Sequence, residues 1–475
     1  MTDMQQRVYN RLPVWGQNVA VSAYGLVIRH RRYGGEFQRY FHELMDSQWF
    51  SKDEIEALQT RKLREIVRWA YEQVPYQKRR FDEAGIDPYK VESIEDLAEL
   101  PIMTSQDLRR LDKELVARGV KGRLYRTYSS GTTGTPTCTY VTADDLRRNA
   151  AFLARARAWA GLPVGRHRMA TFGGRIVVPA QQARPPFWRY DVFSDNWHFS
   201  SYHLSERNLP HYCRQLAKID PIHIRSYPSA IYTVAFFMRD HSISDIRPRA
   251  IVTSAETLLE HQRQVIEEQF ACNIHDEYGC NEMAVFATQC EHRSYHICPE
   301  YSWVEVRGSS DYSPDQTEGT LTCTSFVNFT VPLIRYRMAD AISLSSDRCD
   351  CGREMPVIKQ ICGREDDIVT TPDGRKVGRL DPVFKGTNGI KEAQIVQESP
   401  DHITVRVVWA QQETGRQRAI IAFLRNQLQQ RLGEAVHIDF EETRQIERTR
   451  SGKFRAVISK VPNRQIELID SEWSS

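Results

Sequence analysis

No stretch of this chain is apolar for long enough to cross a bilayer. The longest, Val19–Ile28 and Ala230–Met238, fall short of the ~20 residues a spanning helix needs and are interrupted by Ser, Tyr or Thr. Stable membrane insertion is therefore not expected, and Val19–Ile28 reads as core by default, with a subunit interface or a shallow contact with a membrane bearing lipid-linked sugars as the alternatives. The N-terminal residues include Asp3 and show no short apolar segment ending in a small-residue cleavage site, so no secretory leader is expected and the predicted location is cytoplasmic. Charge of one sign is also lacking: 64 Lys and Arg against 61 Asp and Glu leave a formal charge of +3, too small to draw the protein to nucleic acid. Ten cysteines in 475 residues are too sparse for a disulfide scaffold. Internal repeats and low-complexity tracts are missing too, which disfavours a solenoid.

What remains is a soluble enzyme-like chain too long for one core, since single cores stop growing at roughly 250–300 residues. Ser51 and Glu54 have capping-box spacing, and Leu63, Ile66, Val67, Ala70 and Val74 recur at helical intervals until Pro75. The opening is therefore helical. Further on, Ala250–Thr253, Leu259–Phe270 and Asn273–Tyr278 read as strand, helix and strand, which predicts a parallel sheet with helices on its faces. After Gly363 the pattern changes. Ile403, Val405, Val407 and Trp409 alternate, Ile421, Leu424, Leu428 and Leu432 share a helical face closed by Gly433, and Val436, Ile438 and Phe440 alternate again. A compact α+β tail fits these residues.

The segment Ser129–Pro136 holds five hydroxyl side chains and two glycines in eight positions. Glycines let backbone N–H groups approach an anion, and Ser and Thr add short donors, so polyphosphate binding is one reading and a surface turn is the other. No Gly-Lys-Ser/Thr follows, which excludes the ordinary P-loop.

The order Ser129-Ser130-Gly131-Thr132-Thr133-Gly134-Thr135-Pro136 resembles the phosphate loop of the adenylate-forming superfamily, which includes acyl-CoA synthetases, luciferases and peptide-synthetase adenylation domains. Four further stretches follow in that superfamily's order: Tyr278-Gly279-Cys280-Asn281-Glu282, Tyr336-Arg337-Met338-Ala339-Asp340, Gly363-Arg364-Glu365-Asp366-Asp367 and Ser451-Gly452-Lys453-Phe454-Arg455. The likeness is greatest to the phenylacetate-CoA ligase family and its capsule and exopolysaccharide relatives. It rests on Val74-Pro75-Tyr76, Ser254-Ala255-Glu256 and Cys349-Asp350-Cys351-Gly352-Arg353, with Leu12–Gly16 and Thr171–Arg175 resembling the polysaccharide-cluster members. One departure is Thr135, where many members place a Lys before the loop proline.

The resemblance implies an α/β fold with a large N-terminal domain, residues 1–363, of β-sheets flanked by helices, and a small mobile α+β C-terminal domain, residues 364–475. It implies ATP-dependent activation of a carboxylic acid as acyl-AMP, followed by transfer to CoA or, as in polysaccharide synthesis, to an amine acceptor. A non-catalytic nucleotide-binding relative is the alternative from another class. In the implied site, Ser129, Ser130, Gly131, Thr132, Thr133 and Gly134 hold ATP phosphates, with Thr132 counted as catalytic, and Glu282 holds Mg²⁺. Glu256, Tyr278, Gly279, Asp340 and Arg364 line the nucleotide, Asp340 suiting the ribose hydroxyls because a carboxylate offers two acceptor oxygens. Lys453 is the catalytic lysine, bridging carboxylate and α-phosphate, although its setting among Arg448, Arg450 and Arg455 also reads as a solvated basic patch. Asp366 is the hinge; His203, Phe172 and Tyr227 line the acid pocket; a homodimer is expected.

Cys290 with His296, and Cys349 with Cys351, form two short pairs on separated segments. Such pairs suit a closed tetrahedral zinc site that staples two loops, and the positions are similar to ones at which phenylacetate-CoA ligase relatives carry Cys and His. The alternatives are four unconnected residues, or a site in which His292 or Cys298 substitutes.

Overall fold

The computed structural model describes residues 3–128, 137–307, 318–364, 369–373, 376–377, 380–384, 389–409, 414–449 and 452–461. The expectations for 129–136, Asp366 and Arg450 lie outside them, as does the side chain of Arg364. The chain divides into two compact units: Met1–Leu258, Gln262–Met338 and Ile342–Gln360 form one, and Leu259–His261, Ala339–Ala341 and Ile361–Ser475 the other.

The larger unit begins with helices. Ser51 closes a full capping box with Glu54, and the helix Lys52–Gln73 buries Leu63, Ile66, Val67 and Ala70. Pro75 ends this helix by holding Val74 extended, and then opens the next, Pro75–Glu83, from its first position, where a missing N–H costs nothing.

Two short strands, β1 (Tyr125–Tyr128) and β2 (Cys138–Val141), pair antiparallel. Twelve more make one mixed sheet: β3 (Met169–Gly173), β4 (Trp188–Asp191), β5 (Asn196–Ser200), β6 (His223–Ser226), β7 (Ala250–Ser254), β8 (Ile274–Gly279), β9 (Phe286–Gln289), β10 (Tyr295–Ile297), β11 (Ser302–Arg307), β12 (Glu318–Ser325), β13 (Tyr336–Leu344) and β14 (Val357–Arg364). Their order is 11-12-13-14-10-9-8-7-6-3-5-4. The predicted strand, helix, strand unit is β7, the helix Glu260–Phe270 and β8. The run β5, β3, β6, β7 and β8 is parallel, while β4 and β9 pair antiparallel to its two ends. Helices Leu209–Ile219, Pro228–Asp240 and Glu260–Phe270 make the crossovers from β5 to β6, β6 to β7 and β7 to β8, whereas β3 reaches its parallel partner β5 by way of β4.

Strand alternation gives this run two unlike faces. On one, Phe172 and its register partner Phe199 stack at 4.8 Å between ring centroids, with Tyr212 packed on both. On the other, Thr171 is in register with His198 and Arg225.

The helix Val14–Tyr33 corrects one expectation. It buries Gly16, Gln17 and Ser22 and leaves Trp15 at 72% and Val19 at 62% exposure, with Leu26 and Val27 also exposed, so Val19–Ile28 is not core. The cause is polar anchoring: Gln17 accepts from Arg189 Nε at 2.5 Å, Ser22 donates to Tyr190 O at 3.3 Å, and Asn18 accepts from Tyr190 N at 3.1 Å.

In the smaller unit, β15 (Val369–Thr370) pairs with β16 (Lys376–Val377). A four-stranded sheet follows: β17 (Ile390–Ser399), β18 (His402–Trp409), β19 (His437–Glu442) and β20 (Val457–Ser459), in the order 19-18-17-20. The helix Thr414–Leu432 packs on it through Ile420, Leu424, Leu428 and Leu432, so Ile420 rather than Ile421 begins the strict every-fourth stripe. Ile403, Val405 and Val407 alternate inward as expected.

Candidate active site

In an open α/β sheet, ligands bind beyond the carboxyl ends of the parallel strands. Five such ends lie side by side here. Phe172 is the penultimate residue of β3; His203 lies just beyond β5; Tyr227 follows β6; Glu256 lies two residues beyond β7; Tyr278 and Gly279 end β8, with Glu282 three further on. The structure thus brings the sequence-predicted residues from five segments to one edge of the sheet.

Local bonds fix several of them. Tyr227 N donates to Phe172 O at 3.3 Å, and the Tyr227 hydroxyl accepts from Gly174 N at 3.0 Å. Phe172 itself is buried in the aromatic face. His203 Nδ1 lies 2.7 Å from Ser200 Oγ, its ring stacks on Phe187, and burial holds its pKa below the usual imidazole value. The Glu256 carboxylate accepts from Ser229 N at 3.0 Å and Ser229 Oγ at 3.2 Å, capping the helix Pro228–Asp240 where unpaired N–H groups favour an anion.

The turn after β8 is tightly built. A Cβ on Gly279 would meet Val285 O at 3.0 Å, so glycine is the residue that fits. Glu282 is buried within it. Asn281 Nδ2 donates to Tyr128 O at 2.9 Å, tying this turn to the last residue of β1, after which the hydroxyl-rich segment begins; Tyr128 in turn stands opposite Cys138. Nothing in the sequence singles out Asn281, which is one of the two residues between Gly279 and Glu282.

Asp340 lies partly buried on β13. In the smaller unit, Gly452 has φ +77°, a left-handed turn suited to glycine, and donates to Thr449 O at 2.7 Å. Lys453 follows, its N–H bound to Thr449 Oγ1 at 3.0 Å and its carbonyl accepting from Thr449 N at 2.9 Å. Arg448 beside it is committed to Glu392 and lies 4.7 Å over the Phe454 ring, so the basic run is not uniformly solvated.

The four Cys and His residues do meet. The ligand atoms of Cys290, His296, Cys349 and Cys351 all lie within 4.8 Å of one another. Cys290 Sγ is 3.6 Å from Cys349 Sγ, and Cys351 Sγ is 3.3 Å from His296 Nε2. These approach the edges of a zinc tetrahedron, about 3.8 Å for S···S and about 3.6 Å for S···N from bonds of about 2.3 and 2.05 Å. A disulfide, at about 2.05 Å, is not what this spacing represents. His296 Nδ1 faces Met355 O at 3.4 Å, which fixes the ring and leaves Nε2 for the ligand position. Trp159 and Met355 pack against the cluster, in which Cys290 and His296 are buried and Cys349 and Cys351 partly buried. His292 offers a backbone N–H to Cys290 Sγ at 3.3 Å, a bond that suits a thiolate.

Residues 369–460 match the family model described as the CapK C-terminal domain. Over 476 residues the chain is 26% identical to Protein CapK of Staphylococcus aureus, covering 96% of this chain and 100% of that protein. It is 28% identical over 346 residues to the phenylacetate-coenzyme A ligase of Thermus thermophilus, covering 67% of this chain and 72% of the relative. Among solved structures, 2-hydroxyisobutyryl-CoA ligase in its postadenylation state superposes with a TM-score of 0.67 at 19% identity, covering 89% and 93% of the two chains.

Proposed function

Because the chain is a relative of CapK and of the phenylacetate-coenzyme A ligases and has the adenylate-forming ligase fold, we propose that it activates a carboxylic acid with ATP as acyl-AMP, releasing pyrophosphate, and then passes the acyl group to CoA. The observation that carries this reading is the convergence of residues chosen from five segments at the carboxyl ends of β5, β3, β6, β7 and β8.

In that reaction the protein has two anions to bring together and a developing charge on phosphorus to neutralise. Ser129, Thr132 and Thr133 would hold the β- and γ-phosphates, and Glu282 would hold Mg²⁺, whose charge would favour pyrophosphate departure. Tyr278 lies against adenine; Asp340 accepts from both ribose hydroxyls, with Arg364 beside them. Lys453 is a point charge on a flexible stem, suited to bridge the attacking carboxylate and the α-phosphate. Asp366 is the pivot about which the C-terminal unit, residues 364–475, turns between half-reactions. Zinc held by Cys290, His296, Cys349 and Cys351 is structural, since four protein ligands leave no open position.

The resemblance to capsule and exopolysaccharide relatives also allows an amine acceptor in place of CoA; CapK matches 96% of the chain and the phenylacetate ligase 67%. The deciding test is acid-dependent ATP–pyrophosphate exchange across a broad panel of carboxylic acids. Exchange with at least one acid supports activation, and none across the panel would leave a non-catalytic nucleotide-binding protein. AMP release stimulated by CoA, or only by an amine, then separates the two acceptors.

A further inference from the structure

The polar face of the parallel run is the least conventional part of the molecule. Where a sheet of this kind meets a covering helix, apolar side chains are the rule. Here Asn196, His198, Thr171, His223 and Arg225 share that face, and Glu277 of β8 joins them. Thr171 Oγ1 donates to Asn196 Oδ1 at 3.0 Å, and Arg225 Nη2 lies 3.8 Å from Glu277 Oε2.

Three more arginines converge there. Arg157, from the last turn of the helix Ala143–Trp159, donates to the Tyr33 hydroxyl at 3.0 Å. Arg32 lies next to Tyr33 at the end of the helix Val14–Tyr33, within electrostatic reach of Arg157, Arg175 and Arg225. Arg175, just beyond the carboxyl end of β3, sits 4.8 Å over the Tyr24 ring. Glu277 is the carboxylate beside them, within electrostatic reach of Arg225 and Arg157. Arg32, Arg175 and Arg225 donate no hydrogen bond to any protein group among the described residues. His223 is fully buried and its Nε2 has no partner among the described residues.

Arg32, Arg157 and Arg225 are half-buried and Arg175 is exposed, and gathering four like charges in one partly desolvated place is costly unless something neutralises them. Burial, with its neighbouring arginines adding to the effect, holds the Arg32 pKa below its ordinary value, whereas an ordinary surface arginine avoids this by turning to water. The planar, multi-donor guanidinium is the group suited to hold carboxylate or phosphate bidentately. These side chains lie near the strand ends: Arg225 is two residues before Tyr227, and Glu277 is the residue before Tyr278.

We infer that Arg32, Arg157, Arg175 and Arg225 form a recess for a second oxyanion, a carboxylate or phosphate carried by the acyl substrate or by its acceptor, distinct from the carboxylate that is activated. This rests on the adenylation reading for its place in the reaction, but the recess itself does not.

The test is direct binding to the full chain by calorimetry, with melting curves confirming that each variant is folded. Glutarate is compared with butyrate, and glucose 1-phosphate with glucose. If the anion belongs to the acid, glutarate binds more tightly than butyrate by about tenfold or more, the scale of one charged hydrogen bond. Arg32→Gln and Arg225→Gln then erase that difference. If it belongs to the acceptor, the same loss is seen for the phosphorylated sugar against glucose. The inference is overturned if neither pair shows a difference that depends on Arg32 and Arg225, or if Arg32→Gln instead weakens ATP binding. Binding that persists without pyrophosphate exchange would sink the adenylation reading and leave the anion site standing.

Discussion

Cys349→Ser is the most informative single change in the Cys and His cluster. Cys349 is only partly buried, so a serine there is tolerated by packing, and what it removes is one ligand. The pairs Cys290–Cys349 and His296–Cys351 bridge segments 59 and 55 residues apart. Closing a loop of that length in the unfolded chain costs about 4 kcal/mol by the chain-entropy relation for cross-links, and a metal clip held in both states' ligands recovers about that much in the folded one. In a unit of this size that corresponds to a melting shift of about 5 °C or more. Wild-type protein should carry one zinc per chain by elemental analysis and should melt lower by that amount after treatment with a strong chelator. Cys349→Ser should melt at the chelated value with or without chelator. Well under one zinc per chain in a normally folded protein, or chelation that leaves the melting temperature unchanged, would refute the reasoning.

Lys453→Ala should lose acid-dependent pyrophosphate exchange by at least about a hundredfold while still consuming a supplied acyl-adenylate, since its charge is needed only as the carboxylate attacks phosphorus; equal loss of both half-reactions would count against that role. Arg155 and Glu300 form a buried pair, 2.6 Å apart at 1% and 3% exposure, with Ser47 donating to the same carboxylate. Arg155→Met strands that carboxylate and should cost about 3–5 kcal/mol in urea unfolding, with Arg155→Met/Glu300→Gln recovering most of it. Asp276 is buried against Thr253 and Tyr295, with Arg263 and Glu277 nearby, and desolvation raises its pKa from 3.8 to about 7. The folded state then holds a proton that the unfolded state releases, so stability should fall as pH rises from about 4 to about 7. Asp276→Asn should flatten that slope in a series of melting curves, and an unchanged slope would assign it to other groups.

Much of the local structure was legible because it depends on neighbours in the chain. The Ser51–Glu54 cap, the β7–helix–β8 unit and the alternation of Ile403, Val405 and Val407 each follow from periodicity within a dozen residues. The helix Val14–Tyr33 did not read correctly, because its apolar residues suggested burial while its register on the sheet is set by Gln17, Asn18 and Ser22 bonding to residues about 170 positions away. Asn281 was invisible for the same reason, as its partner Tyr128 is 153 residues distant.

By itself, then, the sequence determined the chemistry available: which residue types occur, at what short spacings, and in what order along the chain. Two Cys and His pairs with ligand spacing could be named before any fold was known. Only the tertiary structure decided that those pairs meet within 4.8 Å, and that Arg32, from the N-terminal helices, comes within electrostatic reach of Arg157, Arg175 and Arg225. No local pattern encodes such a meeting, because strand order and helix docking are settled by burial summed over the whole unit rather than by any one segment's preference.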